Sequence, residues 1–109
     1  TGAATSNTSD ASFVIIGSLN VTAPNGGESW AAGSRQNIQW TSSGVSGDVR
    51  IELSRDGGAT WTTLVSRTRN DGRQGWTVTG PSTANDLVRI TSLSTPIVSD
   101  TSNAPFTIR

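Results

Sequence analysis

The chain contains no histidine, no cysteine, no methionine and no tyrosine, and none of its eight basic residues is a lysine. Each absence removes a class of chemistry. Without His and Cys the commonest general base, the commonest transition-metal ligands and any disulfide framework are missing. Without Lys there is no Schiff-base or general-base amine. Charged residues make up only 15% of the chain, against roughly 25% in ordinary soluble domains. Eight Arg are balanced by eight acids to a net charge of zero, so there is no electrostatic basis for binding nucleic acid or an anionic membrane. Long apolar runs are also lacking: Phe13 to Ile16 is four residues, far short of a membrane span, and membrane insertion is not expected.

What is present is Ser and Thr in nearly every segment, 12 Gly and four Trp, in 109 residues. That length suits one domain with a modest core. The periodicity is two. In DVRIELS, Val49, Ile51 and Leu53 alternate with Arg50, Glu52 and Ser54, the mark of a strand with one buried and one wet face. The same alternation recurs at Leu19, Val21 and Ala23, at Ile38 and Trp40, at Trp76 and Val78, at Val88 and Ile90, and at Phe106 and Ile108. With Trp61 to Val65 this makes about seven strands. Turn chemistry separates them: Pro24-Asn25-Gly26-Gly27, Ser43-Gly44, Asp56-Gly57-Gly58, Asn70-Asp71-Gly72, Gly80-Pro81 and Thr95-Pro96, where Gly and Asn supply positive φ and Pro presets the first turn position. No window shows a helical stripe. The expected fold is an all-β, antiparallel β-sandwich of immunoglobulin or fibronectin III type, spanning residues 19–109.

Residues 1–18 add an extra strand to that count. TGAATSNTSD is a Ser/Thr-rich tether, followed by the expected strand Ser12, Phe13, Val14, Ile15 and Ile16, apolar from Phe13 on, and then Gly17-Ser18. The end of the chain resembles this segment: SDTSNAPFTI and SDASFVI both place Ser-Asp a few residues before Phe-x-Ile, and Phe13 to Phe106 is 93 residues, about one sandwich domain. Residues 1–18 are therefore expected to be a linker carrying the last strand of a preceding repeat, in a tandem array. A strand of this kind needs a sheet edge, in the same molecule or a neighbouring one. A start at Thr1 reads as a processed product or a piece of a longer chain.

The most motif-like stretch is SRDGGATW, residues 54 to 61, which resembles the Asp-box found on the blades of sialidases and other sugar-handling propellers. A propeller needs several times this length. Between two strands, each residue has a local role: the Asp56 carboxylate accepts backbone N–H groups, Gly58 takes a left-handed conformation, Thr60 caps the turn and Trp61 folds back on the hairpin. Ser54, Asp56, Gly58, Thr60 and Trp61 are thus expected to form a structural hairpin.

Four Trp raise the alternative of sugar stacking, since exposed indoles on a sandwich face bind sugar rings. With two Phe, no Tyr and no Met, however, the core needs them. Burying one Trp removes ~150–250 Å² from water, worth about 4–6 kcal/mol at roughly 25 cal/mol per Å². Trp40 and Trp76 share parity with Ile38 and Val78 and are expected in the core. Trp61 is expected against the hairpin, and Trp30 is the best candidate for partial exposure. Trp30 and Trp61 are the candidate carbohydrate contacts.

Asp48, Asp56, Asp71, Asp86 and Asp100 each fall in or beside an expected turn, where Asp caps backbone N–H groups. No D-x-D-x-D run suggests calcium, and no pair of acids sits in a recognisable catalytic motif. No catalytic residue, metal site or cofactor is expected, and the chain is read as a non-enzyme.

VTAPNGGESWAAGSRQNIQWTSSG, VRIELSRDGGATWTTL, GWTVTG and VRITSLSTPIVSDTSNAPFTI together resemble a sandwich repeat of secreted and cell-surface proteins. They are similar to the domain of the Ser/Thr-rich GPI-anchored family and of fungal Kre-type cell-wall β-glucan synthesis proteins. The resemblance covers Leu19 to Arg109 and implies that Gly26, Gly27, Glu28, Trp30, Ile38, Trp40, Asp56 and Trp61 are framework. It implies an extracellular or cell-surface module, a spacer or assembly repeat partnered by neighbouring repeats or other copies of itself. The alternatives are a carbohydrate-binding module with a polysaccharide partner, and a filament or surface-layer subunit assembling through residues 12–16.

Overall fold

A computed structural model describes residues 17–109; the expected strand at Ser12–Ile16 lies outside the described residues. Among the described residues the fold is all-β, with nine strands. They are β1 (Ser18–Ala23), β2 (Ser29–Trp30), β3 (Arg35–Ser43), β4 (Asp48–Ser54), β5 (Thr62–Arg69), β6 (Arg73–Thr77), β7 (Thr83–Ser92), β8 (Ser99–Thr101) and β9 (Phe106–Ile108). Seven match the alternating segments of the sequence. Of the two missed ones, β2 is only two residues long and β8, Ser-Asp-Thr, has no apolar residue to alternate.

The strands form two sheets, one in the order β1-β3-β6 and one in the order β2-β9-β7-β4-β5, with β8 also pairing with β7. All pairings are antiparallel except β2 with β9. Between the sheets lie Leu19, Val21, Ile38, Trp40, Val49, Ile51, Leu53, Val78, Val88, Ile90, Val98, Phe106 and Ile108. The period-two pattern thus aims one face of β1, β3, β4, β7 and β9 inward. Trp40 is buried, and its indole N–H donates to Asn70 Oδ1 at 2.8 Å. Trp76 differs from expectation: it is half-buried on β6 and packs on the core from the side, against Trp30 at 6.3 Å between ring centroids. β6 edges the smaller sheet, so no further strand covers its outer side.

The chain runs from one pole to the other. β1 starts opposite the end of β3, Ser18 facing Ser43, and Gly17 lies against Gly44. β9 ends beside the start of β7, Ile108 facing Thr83, and the Arg109 N–H and C=O bond to Trp30 O and Ala32 N. The nine residues of β3, at about 3.3 Å each, separate these poles by roughly 30 Å.

Polar side chains lock the strand ends. Asn25 and Gly26 donate their N–H groups to the Glu28 carboxylate at 2.8 Å each, which closes the PNGGE turn. The Ser102 hydroxyl donates to Pro24 O at 2.6 Å and accepts Val88 N–H at 3.1 Å. Asp100 is on β8, where its Oδ2 accepts Val21 N–H from β1 at 2.7 Å and ties the two sheets together. It caps a strand edge where the sequence suggested a turn. Asp48 opens β4 and pairs with Arg67 at 2.9 Å, and Asp71 is in the β5–β6 turn, accepting Arg73 N–H.

Candidate functional site

The SRDGGATW segment joins β4 to β5 at the pole where the chain leaves the domain. Ser54, the last residue of β4, is fully buried. Its hydroxyl donates to Asp56 Oδ1 at 2.7 Å and accepts Gly58 N–H at 2.8 Å. Asp56 Oδ1 also accepts Thr60 N–H at 2.9 Å, and Oδ2 accepts the Thr60 hydroxyl at 2.5 Å. Gly57 donates its N–H to Asn85 O on β7 at 3.0 Å. Gly58 sits at φ +99°, where an L side chain is strained. Four of the five residues expected to build the hairpin, Ser54, Asp56, Gly58 and Thr60, are joined in one network centred on the Asp56 carboxylate.

That network fixes the protonation of Asp56. Donation from the Thr60 hydroxyl and N–H, then from the Ser54 hydroxyl, favours the charged form and lowers its pKa from 3.8 to about 2. A carboxylate so held is a poor base near neutral pH.

Trp61 lies close to Gly58, its ring 3.8 Å from where a Cβ on that glycine would be, and stays half-buried. The Arg89 guanidinium stacks on its ring, 4.2 Å from the centroid. Arg89 is held by Glu52, with Nε and Nη2 both 3.0 Å from Oε1. One face of the indole is therefore occupied by a side chain of the same domain. Trp30 is half-buried between Phe106, at 5.4 Å between centroids, and Trp76. The two candidate sugar contacts lie on different elements, each with an intramolecular neighbour on its ring.

Arg55 reaches from the hairpin to the β6–β7 loop. It donates to Thr79 O at 3.0 Å, to the Thr79 hydroxyl at 2.8 Å and to Pro81 O at 3.3 Å. Thr83 returns a bond to Arg55 O. The hairpin is thereby bound into the exit pole.

Behind it lies the acid that departs furthest from expectation. Asp86 is inside β7 and fully buried; its Oδ2 accepts Ile108 N–H at 3.1 Å and its Oδ1 has no partner. Desolvation raises its pKa from 3.8 to about 6, against the opposing pull of the Arg55 charge and the Ile108 N–H. Asp86 shares parity with Val88, Ile90 and Ser92, so the alternation that buries the apolar residues also buries the carboxylate. That parity was readable in the sequence, but the expectation of a turn at Asp86 pointed the other way. Enclosed in this way, Asp86 can hold a strand end but meets no solute.

An open depression lined by Gln39, Asp71, Gly72 and Arg73 lies at the other pole. It has no aromatic wall. Among the described residues no three acids gather closely enough to hold a metal ion. No family model, curated protein or solved structure matches the chain.

Proposed function

We propose that this chain is a non-catalytic spacer or assembly repeat of a secreted or cell-surface multidomain protein, with an immunoglobulin or fibronectin III-like topology. The observation that carries the reading is the placement of Gly17 and Arg109 at opposite poles, which lets copies follow one another in a line. The match between SDASFVI and SDTSNAPFTI supports a copy ahead of this one. The sheet order β9-β7-β4-β5 facing β1-β3-β6, with the parallel β2 beside β9, supports the topology. A surface rich in Ser and Thr and poor in charge suits a stalk whose solubility changes little with salt. The resemblance to secreted and cell-wall sandwich repeats supports the extracellular setting.

The test is the sequence of the parent chain ahead of Ser12. A further sandwich repeat ending at Ile15, with its own hairpin of the SRDGGATW kind, is the expected result; an unrelated segment there would overturn the array. Affinity electrophoresis through a panel of cell-wall and plant polysaccharides covers the rival function. Unretarded migration is expected, and retardation by any of them would replace the spacer with a carbohydrate-binding module.

A further inference from the structure

We infer that consecutive copies in such an array dock pole to pole, with Ile97 of one copy seated on the Ala31-Ala32 and Gly80-Pro81 surface of the copy before it. The inference rests on the array reading and adds the contact surface.

The argument begins with slack. Aligning Phe13-Val14-Ile15 with Phe106-Thr107-Ile108 makes Ile16 the counterpart of Arg109. In the described domain residue 109 is still tied down, its N–H to Trp30 O at 2.9 Å and its C=O to Ala32 N at 2.9 Å. The following strand, β1, begins at Ser18. Gly17 alone lies between, and it too is held: a Cβ on it would come within 2.8 Å of Gly44 O, and its φ is +108°. Two residue steps span at most about 7 Å. Two ordered domains joined by so short a tie have to touch.

The facing surfaces suit that contact. At the entry pole Ile97 is 80% exposed, the one large hydrophobic residue so exposed among the described residues. It is not on a loose arm. The Val98 N–H bonds to Thr95 O at 2.8 Å, and the Ser94 hydroxyl donates to Ser46 O at 2.6 Å. The first bond closes its own loop, and the second joins that loop to the Gly44–Asp48 loop that abuts Gly17. A lone exposed Ile is ordinary on a surface; one fixed at the same pole as the junction faces the preceding copy.

At the exit pole Ala32, Gly33, Gly80 and Pro81 are exposed and small. Ala32 lies beside Gly80, 4.0 Å from where a Cβ on that glycine would be. The Arg55 bonds to Thr79 and Pro81 hold this loop in place. The result is a surface of small residues flanked by the Arg55 and Arg109 side chains, next to the residue from which the chain departs. A second copy of the same domain is the occupant that the short tie dictates, and the product is a stiff rod.

The test joins the whole 109-residue chain directly to residues 17–109 of a second copy, so that Arg109-Gly17-Ser18 reproduces the natural spacing. Nuclear magnetic resonance compares this fusion with the single chain, with a fusion carrying a Gly-Ser-Gly-Ser insert after Arg109, and with Ile97→Asp in the second copy. The single-chain Ile97→Asp protein checks folding. In the direct fusion the amides of Val45 and Ile97 in the second copy and of Ala31 and Ala32 in the first should shift. The two domains should also tumble with one correlation time, about twice that of the single chain. The insert should restore single-chain shifts and independent tumbling; Ile97→Asp, which keeps the short tie, should return the Ala31 and Ala32 shifts of the first copy towards those of the insert fusion. Independent tumbling of the direct fusion, or shifts confined to other residues, would overturn the docking. Because the fusion is built to the stated spacing, its failure leaves the array to be judged by the upstream sequence alone.

Discussion

Replacing Asp86 by Asn should abolish a pH dependence that the natural domain carries between pH 3.8 and about 6. The folded state holds the Asp86 proton more tightly than the unfolded chain does. Its contribution to stability is therefore complete below pH 3.8 and is lost as pH rises through about 6. A rise from 3.8 to about 6 corresponds to at most about 3 kcal/mol, at about 1.4 kcal/mol for each tenfold change in proton affinity. Asn at position 86 keeps an oxygen to accept the Ile108 N–H and carries no charge, although its amide N–H groups face the position where Oδ1 has no partner. That mismatch costs about 1–3 kcal/mol at every pH, so the informative quantity is the change of the difference with pH. Urea unfolding followed by Trp fluorescence from pH 3.5 to pH 8 should show D86N gaining on the natural protein through the interval and running parallel to it above. A difference that stays constant from pH 4 to pH 7 would refute the reasoning, as would a natural protein that loses less stability than D86N across that interval. Asp86→Ala separates the second role of this side chain: without an acceptor for its N–H, Ile108 should exchange its amide hydrogen faster than in D86N.

The hairpin, the Arg89 pair and the core carry four further expectations. Ser54→Ala leaves the Gly58 N–H without its buried acceptor and should cost about 1–3 kcal/mol, read from the urea midpoint; an unchanged midpoint would reject the network. Asp56→Ala should lower the midpoint at pH 7, and the deficit should shrink as pH falls from 3.8 to about 2, where the natural carboxylate takes up its proton. Arg89→Ala uncovers the Trp61 ring and leaves Glu52, whose side chain is 14% exposed, without its partner; a red shift in Trp emission and a loss of about 1–3 kcal/mol are expected, and unaltered emission would mean that the stacking is absent in solution. Phe106→Ala empties a fully buried position on β9 and should cost about 3–5 kcal/mol, enough to unfold much of a marginal domain at 37 °C; circular dichroism melting provides the readout.

Most of the sandwich was legible because its long strands alternate cleanly. Val49, Ile51 and Leu53 on β4, and Val88 and Ile90 on β7, are buried residue for residue as the period of two requires. The hairpin was legible for a different reason: Ser54, Asp56, Gly58 and Thr60 act on one another within seven residues, so their chemistry does not depend on the rest of the fold. Trp61 was only partly legible. Its return to the hairpin is local, but the Arg89 that covers it arrives from β7 and the Glu52 that orients Arg89 from β4. Asp86 and Asp100 were misread because a turn-like neighbourhood says nothing about which strand end, Ile108 or Val21, will come to meet a carboxylate.

By itself the sequence determined the strand class, the inward parity of the long strands and the hairpin network, because each depends on residues a few positions apart and on absences that leave little else to build with. Tertiary structure decided the rest. Which side β2 and β8 join, which indole faces are covered, which carboxylates hold strand ends and which pole the chain enters and leaves by all depend on segments up to 80 residues apart in the chain. Local propensity carries no information about partners at that distance; the packing of the two sheets alone brings them within reach.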